Sequence, residues 1–94
     1  MLTGLDLKTK LRSRYNEDGW FKKILDTPKE YKNFVVEDEL MYLQNRDGRV
    51  LCIPAVQIDE RSAREIVIDE AHSLLAHLGA RKTLAYLRDV VWWK

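Results

Sequence analysis

Two histidines separated by four residues, His72 and His77, are the side chains of this sequence best suited to hold a metal ion. Neutral imidazole is a good zinc ligand, and structural zinc sites use four ligands drawn mainly from Cys and His. The surrounding pattern places the pair around the end of one helix and ahead of another, so both rings could reach one ion. Spacing alone also allows two ordinary structural histidines, and both interpretations stay open at this point.

The single cysteine, Cys52, is the first residue to weigh as a third ligand or as a nucleophile. It stands between Leu51 and Ile53, a setting typical of a small buried hydrophobic residue. No cation or helix N-terminus that would lower a thiol pKa is predicted beside it. We therefore interpret Cys52 as a core residue, and one cysteine excludes an internal disulfide.

Charged side chains supply no obvious catalytic motif. Neighbouring carboxylates occur at 38–39 and 69–70, but adjacent residues on a turn or helix do not face each other. Asp69 and Glu70 are, however, close enough in sequence to accept hydrogen bonds from ligating imidazoles. The basic residues around the last predicted helix are either contacts to a DNA backbone or solvated surface charges; they are Arg81, Lys82 and Arg88.

Length and composition indicate a small globular protein. The chain has 94 residues, 46% hydrophobic and 33% charged, enough for one small domain or two subdomains that share a core. The net charge of +1 gives no strong case for nucleic acid or a membrane surface. No apolar run approaches the roughly 20 residues of a membrane span. We expect an intracellular protein with neither a membrane nor a small-molecule partner.

Residues 1–54 are predicted to form an α/β subdomain. Apolar residues have helical spacing over 3–31, with a break at 16–19. Three strands follow, near 34–36, 40–43 and 50–53, with turns at 37–38 and 45–48. Because three strands alone are marginal, we expect one face of this meander to pack against a helix.

Residues 55–94 return to a helical pattern. Asp59 is predicted to cap a helix, and Gly79 to separate it from a last helix. The apolar face of the first comprises Ala63, Ile66, Val67, Ala71 and Leu74, and that of the last comprises Leu84, Leu87 and Val91. At least one of Trp92 and Trp93 is expected in the core. The fold class is therefore α+β: helices, a small antiparallel three-stranded meander, then a helical pair.

These residues together resemble the zinc-binding (HHCC-type) N-terminal domain of retroviral and Ty3/gypsy-type retrotransposon integrases. The most specific part of this resemblance is the segment His72-x4-His77-Leu78-Gly79-x2-Lys82-Thr83. Leu84, Leu87, Arg88 and Trp93 continue the similarity after it, and Leu51-Cys52-Ile53-Pro54 precede it. The residues before it are similar to the N-terminal extension of such enzymes, through 7–15, 20–25 and the hairpin that ends at Pro54. The resemblance covers nearly the whole chain.

The resemblance implies that His72 and His77 are two of the four zinc ligands of the intact domain. The family's other two ligands are a downstream Cys-x2-Cys pair with no counterpart here, and its acidic catalytic core is also missing. We therefore expect a fragment cut before the Cys pair, whose metal site is incomplete and whose zinc is absent unless the domain is whole.

By resemblance, such a region is non-catalytic. It helps integrase protomers to self-associate and engages the ends of the element's DNA during integration, in the nucleus. The alternative is a domesticated protein–protein interaction module with no role in integration. A direct sequence-specific DNA reader is disfavoured by the net charge of +1.

Overall fold

A computed structural model describes residues 4–46, 48–74 and 79–93 of the chain, and the side chains of 7–46, 48–73 and 85–93. The helices are α1 (Gly4–Leu11), α2 (Gly19–Asp26), α3 (Ala63–Leu74) and α4 (Gly79–Val90), with 3-10 turns at Tyr15–Glu17 and Pro28–Glu30. The strands are β1 (Phe34–Glu37), β2 (Leu40–Asn45), β3 (Gly48–Cys52), β4 (Gln57–Ile58), β5 (Arg61–Ser62) and β6 (Val91–Trp92). None of the described helices is long and apolar enough to cross a membrane.

The main sheet has the strand order β1-β2-β3-β6. Its first three strands form the predicted antiparallel meander, and β6 joins β3 in parallel, with Leu51 opposite Val91 and Cys52 opposite Trp92. The α+β class predicted from the sequence is thus confirmed. Val91, predicted on the apolar face of the last helix, lies in β6 instead, because α4 ends at Val90.

Two tight turns correct the predicted boundaries. Asp38 and Glu39 both have positive φ (55° and 60°), so the β1–β2 turn lies one residue later than expected. Asp59 and Glu60 have φ of 49° and 71° and join β4 to β5. Positive φ at both central residues is the geometry of a two-residue hairpin. Asp59 is therefore a turn residue rather than a helix cap, and α3 begins at Ala63.

The core is one cluster that draws on both halves of the chain. A partly buried aromatic group packs against it, in which the Trp20 ring is 5.7 Å from Phe34 and 5.4 Å from Trp92 between centroids. The helical residues predicted to face inwards are buried where their side chains are described: Ala63, Ile66, Val67, Ala71 and Leu87. Leu74 and Leu84 lie outside the described side chains. The division into subdomains at 54–55 stays a prediction, although the sheet and this core cross it.

Candidate metal centre and its supports

His72 lies near the end of α3, two residues before Leu74, and its side chain is exposed to solvent. An exposed imidazole at a helix end is free to offer a nitrogen lone pair to a metal ion. His77 lies at 75–78, outside the described residues. The structure therefore positions one of the two predicted ligands, and their joint role stays a prediction.

Within the described ranges, no group of three or more His, Cys, Asp or Glu side chains comes together as a metal site. Asp69, a predicted hydrogen-bond acceptor for the imidazoles, is bound instead to the Arg61 guanidinium. The Glu70 Oε1 atom is buried and has no hydrogen-bond partner among the described residues. His72 is an exposed imidazole, but the described residues do not by themselves bring a ligand set together around it.

Cys52 cannot serve as a further ligand in this fold. It is fully buried in β3, and burial raises the pKa of its thiol to about 12. A zinc ion must reach the sulfur that it binds, and the Cys52 side chain exposes no surface to an incoming ion. The interpretation of Cys52 as a core residue agrees with this burial.

The three basic candidates all belong to α4. Arg81 and Lys82 are in its first half, and their side chains lie outside the described set. Arg88 is in its last turn and is exposed. A groove of about 440 Å³ beside α3 is lined by the carboxylates of Asp59, Asp69 and Glu70 and by one arginine. The carboxylates make that groove unsuited to phosphate, so it is not a candidate contact to DNA.

A buried carboxylate, Asp18, joins the front of the chain to α3. One of its oxygens, Oδ1, caps α2 by accepting from the backbone N–H groups of Trp20 (2.8 Å) and Phe21 (3.3 Å). The other, Oδ2, accepts from the Ala55 N–H at 2.7 Å and from Arg64 at 3.4 Å. Burial of Asp18 disfavours its charged form, but these N–H donors and Arg64 outweigh burial, and the pKa of Asp18 is lowered.

Arg64 is the partner that carries this connection into α3. It also donates to the Ile53 carbonyl at 3.0 Å, and its guanidinium lies 5.6 Å from the Trp93 ring centroid. Burial lowers the pKa of Arg64, and the nearby Asp18 carboxylate opposes that shift. The end of α4 is fixed in turn by β6, where Trp92 O accepts from the Ile53 N–H at 2.9 Å.

Sequence reasoning missed both Asp18 and Arg64. A local signal existed for the first, since Asp followed by Gly and an apolar run is a typical helix N-cap. No local signal existed for Arg64, whose partners lie 11 and 46 residues away. Through these contacts the two residues connect the first turn of α3 to Ile53 and to the N-cap of α2, and α3 carries His72.

Comparison with known families bears on the segment that these contacts position. Residues 59–94 match the family model described as the integrase zinc binding domain, a segment that includes α3, α4, β6 and both histidines. The chain has no match among curated proteins or among solved structures. The match implies zinc in the intact domain, which is the non-catalytic N-terminal part of integrases. The resemblance drawn from the sequence is thus confirmed over residues 59–94, which are consistent with an integrase N-terminal zinc-binding domain.

Proposed function

We propose that this chain is the non-catalytic N-terminal region of a retroviral or retrotransposon-type integrase. In this proposal it helps integrase protomers to self-associate and acts in the nucleus on the ends of the element's DNA. The observation that carries the proposal is the match of residues 59–94 to the integrase zinc binding domain. The front of the chain supports it, because Asp18 and β3 hold α3 and β6 in a defined position. The chain then acts as a scaffold that presents the paired helices.

Zinc has a structural role in this proposal. His72 and His77 would hold it together with two further ligands, and the bound ion would fasten the end of α3 to the start of α4. The chain's own contribution is to keep His72 exposed at the end of α3 while the other side of that helix is buried through Ile66, Val67 and Ala71. We expect metal binding to stabilise the helical pair and to leave the meander unchanged.

Contact with DNA is assigned to α4. Arg88 is exposed near the end of this helix, and Arg81 is two helical turns before it. With a net charge of only +1, the chain has little general attraction for DNA, so binding depends on a few local contacts to phosphate.

The test is binding of the chain to a short duplex that carries the terminal sequence of its own element, measured by fluorescence anisotropy with and without added zinc. Arg88→Gln should weaken binding to that duplex and reduce its salt dependence by about one phosphate contact. Lys10→Gln removes the same charge from an exposed position on α1 and serves as the matched control. Equal affinity of both variants for the duplex would refute the assignment to α4.

A protein-interaction module without a role in integration is the second candidate. Exposed apolar side chains on the two helices favour it: Ile68 on α3, and Tyr86 and Val90 on α4, are each 38–39% exposed. Such residues are frequent where a protein partner binds. Sequencing the gene beyond the codon for Lys94 distinguishes the two candidates. A Cys-x2-Cys pair and an acidic catalytic core encoded there would support integrase, and their absence would support the interaction module.

A further inference from the structure

The outer edge of the sheet at β1 is open within the described residues, because β1 pairs with β2 alone. Asn33 accepts a hydrogen bond from the Gln44 N–H at 2.7 Å, so Asn33 faces β2. Successive residues of an antiparallel strand direct their backbone N–H and C=O groups to opposite sides. Those of Phe34 and Val36 therefore point away from β2, towards the open edge. The Phe34 N–H already donates a hydrogen bond to the Tyr31 carbonyl at 3.1 Å. The Phe34 carbonyl and both backbone groups of Val36 therefore remain available to another strand.

Apolar surface adjoins these free backbone groups. Val36 is 51% exposed and Leu25 36% exposed, the first being the most exposed of the large hydrophobic side chains described. Both line an apolar groove of about 300 Å³ whose floor includes Leu40 and Met41. An added strand would cover this surface while it completes the hydrogen bonds of the edge.

The charges that flank β1 change sign along the strand. Lys29 and Lys32 precede it, whereas Glu37, Asp38 and Glu39 end it. Glu37 is paired with Arg49 and Asp38 with Arg12. Lys32 and Glu39 are exposed, and neither makes an ion pair in the part of the chain that the structure describes. An antiparallel second copy would bring opposite charges together at both ends, whereas a parallel one would bring like charges together.

We propose that β1 is a self-association edge, on which the β1 strand of a second copy of this chain pairs antiparallel about a two-fold axis. This deepens the self-association that the proposed function includes, by assigning it a surface. With the axis at Val35, each Val36 N–H donates to the Phe34 carbonyl of the other copy. Each Lys32 then lies beside Asp38 and Glu39 of that copy, and each exposed Val36 is covered.

This register is compatible with the hydrogen bonds that are already made. Because the Phe34 N–H is occupied, each Phe34 offers only its carbonyl, which matches the one free donor of Val36 in the other copy. The interface is isologous, so every contact occurs twice. It joins two four-stranded sheets into one continuous sheet, and it leaves α4 and β6, at the opposite edge, uncovered.

The experiment measures the monomer–dimer equilibrium of the 94-residue chain by analytical ultracentrifugation, without DNA or zinc. Lys32→Glu should weaken the dimer about tenfold or more, since it turns two attractive contacts into repulsive ones. Glu39→Lys should do the same. An equimolar mixture of the two variants should recover the affinity, because each variant supplies the charge that the other needs. Lys23→Glu makes the same charge change at an exposed position of α2, on a different face of that helix from Leu25, and should leave the dimer unchanged.

The outcomes separate this inference from the proposed function. A dimer that Lys32→Glu weakens no more than Lys23→Glu refutes the β1 interface and leaves the proposed function standing. Failure of the variant mixture to recover affinity also refutes the interface. A chain that stays monomeric at every concentration refutes the interface and the self-association together, while binding to the element's DNA ends is judged by its own assay.

Discussion

Replacing Asp18 by Ala tests whether one carboxylate positions the helix that carries His72. Asp18 is 7% exposed and is the buried polar residue of the described core. Its two oxygens accept from backbone groups of Trp20, Phe21 and Ala55 and from the Arg64 side chain. The substitution removes the cap of α2 and, at the same time, the link between the front of the chain and α3.

The expected loss of stability is about 2–3 kcal/mol. Removing a helix cap costs about 1 kcal/mol. Leaving the partly buried Ala55 N–H without an acceptor costs about 1 kcal/mol more. The 3.4 Å contact with Arg64 is long, and we assign it the remaining fraction, about 0.5 kcal/mol. Asp18→Asn retains an oxygen that can cap α2, but its amide NH2 would face the Ala55 N–H and Arg64, so it should still lose the link to α3.

The assay is equilibrium unfolding in urea, followed by the fluorescence of Trp20, Trp92 and Trp93. Glu17→Ala is the matched control, because Glu17 is the neighbouring acidic residue, is exposed, and pairs only with Arg14 at the surface. We expect the control to change the free energy of unfolding little. If Asp18→Ala and Glu17→Ala gave equal losses, the reasoning that assigns this role to Asp18 would be wrong.

Acid titration tests the same carboxylate in a second way. Because the fold lowers the pKa of Asp18, its stabilising contribution is complete above the unfolded pKa of about 3.9. That contribution is lost as the pH falls through the folded pKa. The difference in unfolding free energy between the wild type and Asp18→Asn should therefore shrink below about pH 4. A difference that stays constant from pH 7 to pH 2 would contradict the assignment.

Three further predictions concern the core. Tyr15→Phe should lower the free energy of unfolding in urea by about 1 kcal/mol, because the buried hydroxyl donates to the Cys52 carbonyl at 2.6 Å. An unchanged free energy of unfolding would mean that this hydrogen bond makes no net contribution to stability. Cys52 should react with a thiol reagent only as fast as the protein unfolds, because burial raises its thiol pKa to about 12; rapid labelling of the native chain would contradict its burial. Trp92→Ala should lower the free energy of unfolding by about 3 kcal/mol and reduce the near-ultraviolet circular dichroism, since its ring centroid lies 5.4 Å from those of Trp20 and Phe34. Trp93→Ala is the control, and we expect it to cause the smaller loss.

Local pattern was sufficient for most of the elements. The strand signals at 40–43 and 50–53 and the Asn45–Gly48 turn predicted the antiparallel meander, because alternation and turn residues act over a few positions. The spacing of Ala63, Ile66, Val67 and Ala71 predicted the buried face of α3. The predicted start of that helix failed at Asp59, because a capping residue and a turn residue with positive φ have the same composition signal.

The candidate ligands were predicted from the sequence, whereas the helix that carries His72 is supported by tertiary contacts that the sequence does not reveal. Residue type and spacing alone drew attention to His72 and His77, since zinc ligation depends on which side chains are present. The position of α3 depends instead on Asp18 and Arg64, which are 46 residues apart, and on the parallel pairing of β6 with β3. Such contacts are decided when the chain packs, because a buried carboxylate needs whichever donors the fold brings to it. The sequence by itself thus predicted the kind of site, and only the tertiary structure decided how the helix that carries His72 is held in place.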